Sequence, residues 1–502
     1  MKPTDQHLLP PDVSFDGGDL DCGNGLLLLI RKHIDPMARG QLLEIRSTEI
    51  SVDEDLPAWC RMTSNELVSF TKVGKQRSFL VCKGKMEERG RAEARSVQTP
   101  VTARPVVALP VRPQPPVSVP ALPPLAVTGI GSWPRPRWMV ETMHAHVEGR
   151  LDEAAFHETA NDAVRLVAAA QDRAGVDVMT DGEQRRDSYA SFVAQRLDNC
   201  QLIPLTDLLP LVDDPEEFER ELRALDIPAA DVRHPAVLGR IGHSRPLVLH
   251  EFDFLRTLTE KPIKVALPGP YLLTRTMWME CLSERAYDTR EQLAEDVVAA
   301  LRTELASLIA AGVTLVQFDE PVLSEVVFSG PKSRPSFMCG ALSESREPEH
   351  ELGFARDLVN AVVDGMPRER TALHVCRGNW TPDESVALTG SYEPLLATLQ
   401  AMRVGAYLLE MCTPRAGEME ILRALPADAR IGIGVVNQKH APAEDLEDVV
   451  KKIGRAIDLF GVGRLLLHPD CGFATFADNP ICSASAAEAK LAVIARAVER
   501  LR

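Results

Sequence analysis

The sequence predicts an α/β protein, a (β/α)8 (TIM) barrel behind a small N-terminal α+β domain. Three observations predict it. From Leu125 onward, eight short apolar runs alternate with amphipathic helical stretches. A stretch dense in Pro and Val, Pro100 to Pro124, separates that region from what precedes it. Each apolar run also ends in a short polar or Gly/Pro motif, and barrels carry their chemistry at the C-terminal ends of their strands. The rival is a doubly wound open sheet. Its dinucleotide turn would have to be Ile431-Gly-Ile-Gly434, but the third glycine is missing and Val-Val-Asn-Gln follows.

In order, residues 1–16 read as a disordered lead-in and 17–85 as the small α+β domain. Within it, Leu26–Ile34 has a helical period, Gln41–Ser47 alternates as a strand, Asp55–Glu66 reads as a second helix and Ser78–Lys83 as a second strand. Residues 86–124 are a linker, charged from Glu87 to Arg95 and then Pro-rich, which makes it semi-rigid and extended. The barrel occupies 125–502. Its strands are Ala126–Ile130, Val176–Thr180, Ile263–Leu267, Thr314–Phe318, Ala372–Cys376, Ala406–Glu410, Arg430–Val436 and Arg464–His468. Its helices include Glu153–Ala174, Arg290–Ala311, Glu351–Asp364, Pro394–Met402, Ala443–Phe460 and Ala484–Leu501, with long insertions after the first strands.

Composition narrows the function. An apolar fraction of 45% over 502 residues supports a full core. A net charge of −16 with no basic run argues against nucleic acid or an anionic membrane as partner. Ten irregularly spaced cysteines suit a reducing cytoplasm better than a disulfide framework. Met1 to Asp21 is polar and acidic, with no sign of a signal peptide, and Leu26–Ile30 is too short to span a bilayer.

The strand-end motifs carry the chemistry. His374-Val-Cys376 puts an imidazole and a thiol on one face of a strand. Cys471, in Pro469-Asp470-Cys471-Gly472, follows the apolar run Leu465–Leu467 and can join them if the strands are neighbours. Zinc takes such a mixture in tetrahedral geometry, with one position left for a further ligand or a substrate. The bland alternative is a core histidine with two buried free thiols. The other motifs are Gly131-Ser132-Trp133-Pro134, Asp181-Gly182-Glu183, Pro268-Gly269-Pro270, Asp319-Glu320-Pro321, Glu410-Met-Cys-Thr-Pro414 and Asn437-Gln-Lys-His440. On one barrel rim all of them face one cavity.

These motifs, in this order and over essentially 125–502, resemble the catalytic barrel of cobalamin-independent methionine synthase. His374-Val-Cys376-Arg-Gly-Asn379 and Pro469-Asp-Cys-Gly-Phe-Ala-Thr-Phe476 resemble its short, single-barrel branch, which includes the epoxyalkane:coenzyme M transferases. The resemblance implies Zn2+ held by His374, Cys376, Glu410 and Cys471, which activates a thiol for attack on an electrophilic carbon. It implies a homocysteine ammonium held by Glu183 and Asp319, its carboxylate meeting backbone around Ile130, Gly131 and Ser132, and a methyl-folate donor. The family's general acid is a His after the seventh strand in an Asp-x-His arrangement. Here the candidate is His440, one position later, with Asn437 in place of the acid and Lys439 as a helper. Trp133 and Trp278 are candidates for stacking on a pterin, and His468 reads as a strand-end histidine rather than a further ligand.

The N-terminal stretch resembles the TusA/SirA-type sulfur carriers in Leu20-Asp21-Cys22 before an apolar helix ending Arg31-Lys32, in Asp53–Cys60, and in the closing strand. That family carries a persulfide on the Cys of a Cys-Pro-x-Pro motif. Cys22 matches the Cys, with Gly23 and Gly25 in place of the prolines. The resemblance implies that Cys22 could carry sulfur from a relay protein to the barrel. Two further readings stand beside methionine synthesis. One is a zinc-dependent thiol alkyltransferase of the epoxide-opening kind, with Arg185, Arg186 or Arg377 available for a sulfonate. The other is a non-catalytic sulfur-trafficking protein.

Overall fold

The structure is a computed structural model that describes residues 6–20, 26–89, 119–204, 233–278, 286–328, 347–379, 381–440 and 442–502. Cys22 lies outside the described residues, as does most of the linker.

The N-terminal domain is a four-stranded sheet of β1 (Val13–Asp16), β2 (Leu42–Ser47), β3 (Glu66–Val73) and β4 (Gln76–Cys82), in the order β1-β2-β4-β3. The Leu27–Ile34 and Val52–Met62 helices bury Ile30, Ile34, Leu56 and Trp59 with Leu43, Ile45, Phe79 and Val81 of the sheet. Three expectations are corrected. The lead-in is not disordered throughout, since Val13–Asp16 pairs in parallel with Leu43–Arg46. The second helix starts at Val52 and stops at Met62, where Ser64 turns the chain at φ +57°, so Glu66 opens a strand. The domain also runs past 85: Glu88 pairs with Arg39 at 2.7 Å and Arg89 with Asp12 at 2.7 Å.

The barrel begins with β5 (Ala126–Val127). An antiparallel hairpin, β6 (Asp198–Pro204) and β7 (Arg233–Gly242), is inserted before β8 (Lys264–Pro268). Then come β9 (Leu315–Asp319), β10 (Thr371–Val375), β11 (Ala406–Leu409), β12 (Arg430–Val436) and β13 (Leu465–Pro469). These strands form one parallel sheet in the order β5-β13-β12-β11-β10-β9-β8. The predicted strand Val176–Thr180 is reduced to two bridges, Thr128 with Val178 and Met179 with Ile263. They stand between β5 and β8, close the ring, and are braced by Lys264 N donating to Met179 O at 2.9 Å.

Buried on both faces, these strands read as near-continuous apolar runs. Helices pack outside them: Val297, Leu301, Leu305 and Leu308 of Arg290–Ala311 meet the sheet in the main core. Thr289 caps that helix by accepting from Gln292 N, and Gly312 ends it at φ +97°, a conformation that disfavours a residue with a Cβ. The hairpin also meets the N-terminal domain, where Gln201 donates to Asp35 at 2.6 Å and Lys32 to Leu238 O at 3.2 Å. Among the described residues no helix is long and apolar enough to cross a membrane.

Candidate active site

The barrel interior is apolar at its floor, where Leu315, Ala372, Ala406, Leu408 and Leu466 cluster. Side chains alternate along a strand. Stepping by two from the floor toward the C-terminal ends therefore reaches Gln317 and Asp319 on β9, His374 on β10 with Cys376 just after it, and Glu410 after β11. The same step leads to His468 and Asp470 at the end of β13. Period two puts these polar residues on the same inward face, at successive heights above the floor.

Of these, Asp319, His374 and Cys376 line a cleft of about 610 Å³, its open mouth included. Its walls include Ile130, Ser132, Glu183, Asp319, His374, Cys376 and Cys471, all expected from sequence, together with Tyr189, Pro321, Asn379, Gly472, Thr475 and Phe476. Asn379 and Phe476 belong to motifs already noted. Tyr189 carried no signal, because it is brought in by a loop whose backbone bonds to Thr475 O at 3.2 Å. Trp133 is instead packed edge-on against Phe473 at 5.7 Å. Trp278 likewise belongs to the core rather than to the cleft wall.

Glu183 is buried, with φ +54°, a backbone region sparsely used by residues with a Cβ. Its N–H donates to Asp181 Oδ1 at 3.0 Å, and among the described residues its Oε2 has no hydrogen-bond partner. Burial pushes its pKa up to about 7; Arg186 works against this, while Asp319 and Asp181 add to it. Gly131 makes room for the carboxylate, since a Cβ there would sit 2.0 Å from Glu183 Oε1.

His374 Nδ1 bonds Asp319 Oδ1 at 2.9 Å, and its Nε2 is buried without a partner among the described residues. Burial alone would lower the His374 pKa, but the hydrogen bond and charge of Asp319, with Cys376 nearby, outweigh it and raise it. Cys376 and Cys471 share a hydrogen bond that lowers the pKa of the first and raises that of the second.

Glu410, directly after β11, is fully buried. Its Oε1 accepts from Arg377 N at 2.7 Å and from Asn379 Nδ2, and its Oε2 accepts from Arg415 at 3.3 Å. The expected ligand set is therefore not assembled as it stands. Among the described residues no three His, Cys, Asp or Glu side chains are gathered at metal-ligand spacing. Glu410, the fourth of the expected set, is engaged instead by Arg415, Asn379 and the Arg377 amide.

His440 is also displaced from its expected position. After β12, Asn437 donates to Glu384 at 2.5 Å and Lys439 Nζ to Asp383 O at 2.8 Å, which holds both side chains inward. The turn sends His440 outward, with its side chain 65% exposed and 3.6 Å from Glu384, outside the cleft wall.

The arrangement offers buried acids for a cation, a thiol pair and an unpartnered imidazole nitrogen around one small-molecule cleft. Comparison with known proteins agrees with it. The family model "Cobalamin-independent synthase, Catalytic domain" matches residues 125–207, 224–349 and 371–492. The chain belongs to that family.

Among curated relatives in the family, the methionine synthase of Sulfolobus acidocaldarius is 26% identical over 349 residues, covering 69% of this chain and 85% of the relative. That of Saccharolobus solfataricus is 25% identical over 352 residues, covering 70% and 89%. A solved B12-independent methionine synthase from Shewanella sp. W3-18-1, in complex with selenomethionine, shares the fold. Its TM-score is 0.57 at 22% identity, over 76% of this chain and 98% of that one. The family match begins at 125, so it leaves the N-terminal domain to its own evidence.

Proposed function

We propose that this protein is a zinc-dependent thiol methyltransferase that transfers a methyl group from a methyl-folate to homocysteine, giving methionine. The observation that carries this is the convergence, on one cleft, of Glu183 and Asp319 with His374, Cys376 and Cys471. Methionine synthases as relatives support the substrate assignment.

The donor set fits zinc. His374 has its Nδ1 engaged by Asp319 and its Nε2 free, as metal-ligating histidines do. Two adjacent thiols supply sulfur, and Glu410 supplies the carboxylate once it exchanges its contacts with Arg415 and Asn379. Held by His374, Cys376, Glu410 and Cys471, zinc would lower the pKa of a substrate thiol, giving a nucleophilic thiolate at neutral pH.

The chain's own residues do the rest. Glu183 and Asp319 take the ammonium of homocysteine in a site where burial strengthens the attraction. Backbone at Ile130–Ser132 takes its carboxylate, so the sulfur points at the thiol pair. Tyr189 and Phe476 in the cleft wall offer flat surfaces against which a planar donor can lie. His440 is retained as the proton donor to the leaving group only if its loop closes over the cleft. The paired acids favour an amino-acid thiol over a sulfonate: Arg186 is committed to Glu251 at 2.6 Å, and none of Arg185, Arg186 and Arg377 is in the cleft wall. Sulfur delivery by Cys22 remains a proposal of the N-terminal resemblance.

Zinc content and a zinc-edge absorption spectrum, with and without homocysteine, test the reading. One zinc per chain that gains a sulfur neighbour on adding homocysteine is expected. No zinc in carefully prepared protein would overturn it.

A further inference from the structure

Lys264 lies inside the barrel on β8, 1% exposed, and does not line the cleft. A lysine there costs desolvation that an apolar residue would not. Burial lowers its pKa to about 7, against the pull of Asp319 and Glu183. Among the described residues its hydrogen bond goes to Gln317 Oε1, at 2.5 Å. Gln317 Nε2 donates in turn to Asp319 Oδ1 at 2.7 Å, the oxygen that His374 Nδ1 meets at 2.9 Å.

Strand register makes these contacts a ladder. Lys264 stands opposite Leu315 at the floor, Gln317 opposite Ala372 one step up, and Asp319 opposite His374 at the cleft. An amide has one accepting and one donating end. The lysine below asks for the oxygen and the carboxylate above asks for the N–H, so both neighbours select the same orientation. Asp319 Oδ1 then accepts from two sides and is pinned. His374 must carry its proton on Nδ1, which leaves the Nε2 electron pair facing outward without a partner.

We propose that Lys264 and Gln317 are positioning residues. They hold Asp319 so that His374 is fixed as the Nδ1–H tautomer and presents Nε2 to a metal in the cleft. The proposal rests on the zinc reading above, and it assigns a task to two residues that touch neither metal nor substrate. A mere pair of barrel-filling polar residues would leave the imidazole indifferent to their loss.

The test uses the full chain with Gln317→Met, Lys264→Met and the double variant, each checked for cooperative unfolding. If Gln317→Met does not fold, Gln317→Glu keeps the shape and the lysine contact while replacing the donor to Asp319. The first readout needs no metal. Nitrogen-15 spectra of histidine-labelled, metal-free protein, with His374 assigned through His374→Asn, should show an Nδ1-protonated ring in the wild type and a tautomer mixture in Gln317→Met.

The second readout is zinc affinity by competition with a chromophoric chelator. It should weaken roughly 10- to 100-fold in each single variant, the range for a lost outer-shell partner. The double variant should be no weaker than the worse single one, because both act along one chain of contacts. An unchanged tautomer overturns the proposal, as does unchanged zinc affinity or a double variant whose losses multiply. If the wild type holds no zinc, the functional reading fails on its own, and the metal-free tautomer still decides the relay.

Discussion

Replacing Glu183 by Gln should weaken homocysteine binding and stabilise the protein at once. The side chain keeps its shape, but the buried Oε2 that has no partner loses its charge. A hydrogen bond between an ammonium and a carboxylate is worth about 1.5–3 kcal/mol. That corresponds to a KM for homocysteine roughly 10- to 150-fold higher.

The stability effect runs the other way. Burial raises the carboxyl from 4.5 to about 7. A carboxyl whose folded pKa is raised favours the folded state below pH 4.5, and that advantage is lost as pH rises through 7. At pH 7 the ionised group costs about 3 kcal/mol by linkage, and Glu183→Gln removes that cost. In the wild type, KM should rise as pH falls below 7 because a neutral Glu183 cannot attract the ammonium; in the variant this limb should disappear.

The assay pairs KM for homocysteine and for its desamino analogue, 4-mercaptobutyrate, with thermal unfolding. The expected result is a collapsed preference for the amino thiol in a variant that melts higher. An unchanged preference, or an equal loss for both thiols, would refute the ammonium assignment.

The remaining expectations are smaller in scope. His440→Asn should leave kcat within about threefold, since a general acid is worth roughly 10²–10⁴ and this one faces solvent; a hundredfold loss would show that its loop closes over bound substrate. Gly131→Ala should raise KM more than it lowers kcat, because its methyl group displaces the Glu183 carboxylate; equal KM in the two proteins would argue against that contact. His234 is buried, and desolvation lowers its pKa from 6.5 to about 4, with the Thr276 backbone partly opposing. A depressed histidine loses stability as pH falls below 6.5, so the fold should be about 2 kcal/mol weaker at pH 5 than at pH 7 from this group. His234→Gln should flatten that part of the denaturant-midpoint curve, and an unchanged slope would remove His234 as its source.

Much of the barrel was legible because parallel strands buried on both faces must be apolar and their helices amphipathic. β12 matches its predicted bounds, as does the Arg290–Ala311 helix, with Thr and Gly at its ends as caps. Elements without that signature were missed. β1 has four residues, only one of them fully buried, and β3 is mostly half-exposed. The β6–β7 hairpin lies outside the barrel's alternation. The Val176–Thr180 segment was expected as a strand, and it closes the ring with isolated bridges instead of a ladder.

The site divides along similar lines. Residue types and their place at strand ends were sufficient, in sequence, to bring Glu183, Asp319, His374, Cys376 and Cys471 to one rim; a period of two turns Asp319, His374 and Cys376 inward, whereas Glu183 and Cys471 lie in the turns that follow their strands. Partnership is set by neighbours distant in sequence, so only the folded barrel decided it. Glu410 is engaged by Arg415 and Asn379, His440 is turned to solvent by the hydrogen bonds of Asn437 and Lys439, and Lys264 lies beneath Gln317. A lysine or a glutamine in a strand reads by itself as a solvent-facing residue. That these two meet follows from closure of the sheet and its register, which no local pattern encodes.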